Sequence, residues 1–166
     1  MTGDTLIDAE SAARVGTVAA RATGEVHRLQ WQRWAASVGD HNPLWFDADY
    51  ARANGYHDVI CPPLFLQYAM LGVASLDGLR PDGSSGAVSG GLAFPRAPRR
   101  MAGGEATTFH LSAYHGDEVE MVRTIESIVE KEGRSGRFVV VQWQTSYRNQ
   151  RGELLAEATT SMIARP

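Results

Sequence analysis

Apolar and polar positions divide the chain into a helix-rich first half and a strand-rich second half. Val15 to Val26 reads as a strand. From Leu29 to Val38, the residues Leu29, Trp34, Ala35 and Val38 fall largely on one face at helical spacing, which predicts an amphipathic helix. Gly39 stops it, and Asn42 stays out of the α region because Pro43 follows. Asp47 then caps a short helix through Ala53, closed by Asn54-Gly55. Pro62 to Leu76 is apolar except at Gln67, Gly72 and Ser75. Pro62-Pro63 opens this segment where missing amide donors cost least, so it reads as a helix wrapped by protein. Crossing a bilayer takes about 20 apolar residues, and this run is too short for that.

A Gly/Pro/Ser-rich loop is expected from Asp77 to about Gly104, carrying Arg96, Arg99 and Arg100. Beyond it the period falls to two. Over Glu118 to Glu130, Val119, Met121, Ile125 and Val129 share one face and Glu118, Glu120, Glu126 and Glu130 the other. Strands over Phe138–Arg148 and Leu154–Ile163 follow, joined by the hairpin Asn149-Gln150-Arg151-Gly152. Lys131 to Gly136 makes another connection. One long buried helix with about five mostly antiparallel strands predicts an α+β domain whose sheet wraps around the helix.

Composition narrows the class. At roughly 150 residues per domain, 166 residues make one domain spanning 1–166, with residues 1–14 expected as a flexible N-terminus. Sixteen Lys and Arg against 19 Asp and Glu leave a net charge of −3, which argues against nucleic-acid binding. The one cysteine, Cys61, rules out an internal disulfide and suits a reducing cytoplasm. Asp4, Asp8 and Glu10 interrupt any secretory apolar region. His27, His41, His57, His110 and His115 include no i, i+4 pair, so neither a metal nor another cofactor is expected. Phosphate-loop and hydrolase-elbow patterns are absent from the sequence.

The densest motif is Gly39-Asp40-His41-Asn42-Pro43-Leu44-Trp45-Phe46-Asp47, followed by Gly55-Tyr56 and Ile60-Cys61-Pro62-Pro63-Leu64-Phe65. Here the chain resembles the MaoC-like enoyl-thioester hydratases, hotdog proteins whose motif reads G-D-x-N-P-x-H. It keeps Gly39, Asp40, Asn42, Pro43, Asp47, Ala51, Gly55 and Tyr56 in register. Tyr114-His115-Gly116-Asp117-Glu118-Val119 resembles the family's R-P-G-D-x-L turn. Pro62-Pro63 and Asn149-Gln150-Arg151-Gly152-Glu153 are similar to the N-terminal dehydratase-domain branch, whose members often form half of a two-hotdog unit.

The resemblance implies a single hotdog fold and a hydro-lyase acting on an acyl-CoA or acyl-carrier-protein thioester. Two departures bear on that chemistry. Trp45 replaces the catalytic histidine, and an indole N–H only donates. Pro63 replaces a glycine whose amide faces the thioester oxygen, and proline has no amide hydrogen; Leu64 N–H remains. The catalytic candidates are therefore Asp40 and the adjacent His41, although Asp40 is also an ordinary turn former. By resemblance, Asn42, Pro63, Leu64, Phe65 and Tyr68 frame the acyl site. Arg96, Arg99 and Arg100 either contact coenzyme A phosphates or lie on a solvated surface. Trp31, Trp34 and Trp45 read as core or interface aromatics, Cys61 as packing, and His110 as solvent-facing or interfacial. The leading expectation is a subunit paired with a second hotdog that supplies the Asp/His machinery. The alternatives are a self-sufficient homodimer using Asp40 and His41, a non-catalytic thioester binder, and a thioesterase.

Overall fold

The computed structural model describes residues 5–70, 77 and 92–166. In chain order its elements are α1 (Ala9–Ala13), β1 (Val18–Glu25), α2 (Arg28–Ser37), a 3-10 turn (Pro43–Trp45), α3 (Ala48–Ala53), α4 (Phe65–Ala69), β2 (Arg99–Phe109), β3 (Glu118–Gly133), β4 (Gly136–Asn149) and β5 (Leu154–Arg165). The five strands form one antiparallel sheet in the order β1-β3-β4-β5-β2. Strict alternation buries Val139, Val141, Trp143, Thr145, Tyr147 and Asn149 along the central strand β4. Helices α2 and α4 and the 3-10 turn, with Trp31, Ala35, Trp45 and Phe65, pack on one end of the sheet, against Val119, Tyr147 and Leu155. A second core gathers Leu6, Leu92, Phe94, Ile125 and Trp143.

Asp47 caps α3 by accepting from Asp49 N and Tyr50 N at 2.9 and 3.0 Å, as the sequence predicts. The close approach of β1 to α4 requires Gly24, where a Cβ would lie 2.5 Å from the Ala69 carbonyl oxygen. Of the segment expected to form the long buried helix, α4 is what falls inside the described residues; positions 71–76 lie outside them. Phe65 and Leu66 are buried beneath it, whereas Leu64 and Tyr68 remain 57% and 53% exposed on its outer side. Leu64 and Tyr68 thus leave an apolar strip beside α4 open to solvent.

Three expectations need correction. Residues 99–104, read as loop, already belong to β2, whose Gly103-Gly104 composition hides a bulged edge strand. Val129 does not share the face of Ile125, because a bulge between Ile125 and Ser127 shifts the phase and turns Ile128 toward the core instead. Residues 5–13 carry a capped helix and the buried Leu6, so this stretch is docked, contrary to the expected flexible N-terminus. Glu130 holds it there, accepting from Leu6 N and Thr5 Oγ1 at 2.9 Å each and pairing with Arg137.

Candidate functional site

The loop after α2 is built around Trp45. Gly39, at φ +73°, ends the helix in a conformation that other residues adopt only with strain. Asn42 caps the 3-10 turn by accepting from Leu44 N at 3.1 Å. That turn drives the Trp45 ring into the core, where 6% of the residue stays exposed. The Trp45 carbonyl accepts from Trp31 Nε1 at 3.2 Å and from Gln32 Nε2 at 3.0 Å, which ties the loop to α2.

The indole nitrogen of Trp45 then donates to Asp40 Oδ2 at 2.9 Å, while Asp40 Oδ1 accepts from Asn42 N at 3.2 Å. Both carboxylate oxygens of Asp40 are thus engaged within its own loop. An indole cannot relay a proton, so this geometry braces Asp40 instead of activating it. The sequence marks Trp45 as a donor and as a core aromatic, but the bond to Asp40 needs the fold. His41 is exposed on the loop.

Beside this loop lies a cleft of about 260 Å³. Leu44, Trp45, Tyr56, Ile60, Cys61, Pro63 and Leu66 form one wall, and residues 109–113 form the other. Main-chain bonds fix the two walls together: Cys61 N donates to the Ala113 carbonyl at 2.9 Å, and Ile60 N to that of Leu44 at 3.1 Å. Pro63 is the predicted site residue that the structure places on this lining. Phe65 is fully buried in the core, whereas Leu64 and Tyr68 are more than half exposed. Phe109 and Leu111, 44% and 51% exposed, extend the apolar surface along the rim. His110 lies at the same rim and pairs with Glu157 of β5, Nε2 to Oε2 at 3.1 Å. The reading of His110 as solvent-facing or interfacial carried no signal for this partner, because the contact spans 47 positions.

Cys61 is buried, and its thiol is pushed far above the usual range by desolvation and then by the negative charge of Asp117. The thiolate is the reactive form, so Cys61 is inert near neutral pH. At pH 8 a disulfide reagent such as DTNB is expected to leave the folded protein unmodified and to react once per chain after unfolding; rapid labelling of folded protein would refute this environment.

The three arginines belong elsewhere. Arg96 Nη1 donates to the Thr5 carbonyl at 3.0 Å, Arg99 Nε to that of Pro166 at 2.6 Å, and Arg100 Nη2 to that of Leu92 at 3.2 Å. Arg99 and Arg100 open β2 and Arg96 precedes it, about 30 Å along the strand from the cleft at Phe109. The Gly116-Asp117 turn is likewise structural. Asp117 is buried, its Oδ2 accepts from Tyr114 N at 2.8 Å, and its carbonyl accepts from Val26 N at 2.9 Å. Among the described residues, no group of three His, Cys, Asp or Glu side chains converges to hold a metal, and no helix is long and apolar enough to cross a membrane.

Sheet order, helix placement and the Gly39–Asp47 loop define a hotdog fold. The chain belongs to the FAS1-like dehydratase domain region family, whose model matches residues 13–158. A UPF0336 protein of Parafrankia sp. (strain EAN1pec) is 32% identical over 142 residues, which cover 85% of this chain and 84% of that protein. A probable enoyl-CoA hydratase alpha subunit of Thermomonospora curvata is 30% identical over 128 residues, covering 75% of this chain and 40% of that one. Among solved structures, the ChsH1-ChsH2 complex of Mycobacterium tuberculosis contains a chain that matches with a TM-score of 0.72 at 19% identity, covering 93% of this chain and 88% of that chain.

Proposed function

We propose that this chain is a subunit of an enoyl-thioester hydratase or 3-hydroxyacyl-thioester dehydratase that pairs with a second hotdog carrying the motif's Asp/His pair. The observation that carries the reading is the apolar cleft set against the Gly39–Asp47 loop, with Trp45 where that loop would otherwise offer a base. An acyl chain suits such walls, and the thioester end would lie toward the open rim. The exposed outer side of α4 and the long exposed strand β2, which has no strand on its outer edge among the described residues, favour a partner, since such an edge with apolar neighbours is a template for association. The alpha subunit named among the relatives, and the two-protein complex among the structures, agree with a paired arrangement. A self-sufficient enzyme using Asp40 and His41 is disfavoured, because Asp40 is tied to Trp45 and His41 does not line the cleft.

Titration of saturated acyl-CoA esters of increasing length tests the reading. Each methylene taken into the cleft contributes up to about 0.8 kcal/mol, or roughly fourfold in affinity. A volume of about 260 Å³ holds roughly eight groups of water size at ~30 Å³ each. Affinity is therefore expected to rise with chain length and level off near about eight carbons. Length-independent binding, or none, would exclude the cleft as an acyl site.

A further inference from the structure

Trp143, Thr145 and Tyr147 follow one another on the buried face of β4. Arg123 of β3 stands opposite Thr145 in the register, so its side chain shares that face. Its Nε donates to Thr145 Oγ1 at 3.2 Å, which draws the guanidinium toward β4. Among the described residues Arg123 forms no ion pair. Trp143 and Tyr147 are 3% and 4% exposed. The buried Trp143 Nε1 finds no acceptor among the described residues, and neither does the Tyr147 hydroxyl. Burial pushes that hydroxyl above the usual phenol range, Arg123 draws it back and Glu105 adds to the rise. It is therefore a protonated donor at neutral pH, within electrostatic reach of the guanidinium.

Buried polar groups in folded proteins are nearly all paired, and each exception asks for an explanation. Here the unpaired groups are all donors, and one of them carries a positive charge. They lie in the seam between the two cores: Tyr147 and Met121 pack in one, Trp143 and Ile125 in the other. Glu105 does not neutralise Arg123. It lies on β2, with β4 and β5 between, and its Oε1 accepts from Gln67 Nε2 at 2.6 Å and Thr107 Oγ1 at 2.9 Å. A planar guanidinium matches a carboxylate, and apolar walls match a hydrocarbon body. We propose that Arg123, Trp143 and Tyr147 form a carboxylate-binding site in this seam, taking the acid group of an aliphatic ligand. That group has two sources: a free alkanoate, or a second acid at the far end of an acyl thioester. The second source rests on the reading of the cleft as an acyl-thioester site and would make the seam a specificity determinant; the first does not need that reading.

The test is calorimetric titration of the folded chain with two matched pairs, hexanoate against hexanamide and adipoyl-CoA against hexanoyl-CoA. A hydrogen bond to a charged group is worth roughly tenfold or more in affinity. If the ligand is a free acid, hexanoate is expected to bind at least about 10-fold tighter than hexanamide. If it is the far end of an acyl group, adipoyl-CoA is expected to exceed hexanoyl-CoA by the same factor. Arg123→Gln, which keeps a donor for Thr145, is expected to erase the preference while the uncharged member of the pair binds as before. Tyr147→Phe is expected to reduce the preference by roughly 3–10-fold. No preference for the acid in either pair, or a preference that survives Arg123→Gln, would overturn the site. Absence of hexanoyl-CoA binding would count against the cleft reading instead, and the hexanoate pair would then decide the carboxylate site by itself.

Discussion

Trp45→Ala is expected to cost about 3–5 kcal/mol of stability, the range for emptying a large buried aromatic site. Three contributions combine at this residue. The ring fills the core between α2 and the cleft, its indole holds Asp40, and its position in the loop sets the carbonyl that Trp31 and Gln32 grip. For a chain of this length, each kcal/mol moves Tm by about 2–4 °C, so thermal unfolding should shift down by roughly 6–20 °C. Trp45→Phe separates the contributions, because it keeps an aromatic ring and removes the donor to Asp40. A hydrogen bond to a charged group contributes about 1.5–3 kcal/mol, so this variant should fall clearly between wild type and alanine. A phenylalanine variant as stable as wild type would mean that the Asp40 contact braces nothing.

The double variant Leu64→Glu, Tyr68→Glu is expected to leave the fold intact and abolish pairing. Both side chains are more than half exposed on α4, and Phe109 and Leu111 continue the apolar surface on the far side of the cleft. Gln67 of the same helix donates to Glu105 of β2 at 2.6 Å, so helix and edge strand present one continuous surface. An interface anchor is worth about 2 kcal/mol or more, roughly 30-fold in affinity each. Sedimentation of the chain with the hotdog partner proposed for it should show the complex lost at micromolar concentration while Tm of the isolated chain stays put. Undiminished association would place the interface elsewhere.

Much of the fold is legible in the sequence because it follows short-range rules. Asp47 caps α3, Gly39 closes α2, and the alternation of Val139, Val141, Trp143 and Tyr147 marks a strand with one buried face. What escapes is what depends on register and partners. The bulge after Ile125 leaves no mark in a pattern of alternating apolar residues, and it decides the fate of Val129. The glycine pair of β2 looks like loop until β5 pairs with it. Residues 5–13 are polar enough to read as a tail, yet one buried leucine and the carboxylate of Glu130 dock them. At the site, the sequence supplies the essential fact that Trp45 cannot act as a base. That this residue also restrains Asp40, and that His110 meets Glu157, are consequences of tertiary structure.

The central claim is that Asp40 is a brace and not the water-activating carboxylate of this subunit. Its most direct test is the rate of crotonyl-CoA hydration by the assembly proposed for this chain and a hotdog partner, with Asp40→Asn introduced in this chain alone. Asparagine keeps the shape of the side chain and one acceptor oxygen, so the account predicts turnover indistinguishable from wild type and a modest loss of stability. A fall of about 10²–10⁴-fold in kcat with the fold preserved, the scale of a removed acid–base group, would contradict it.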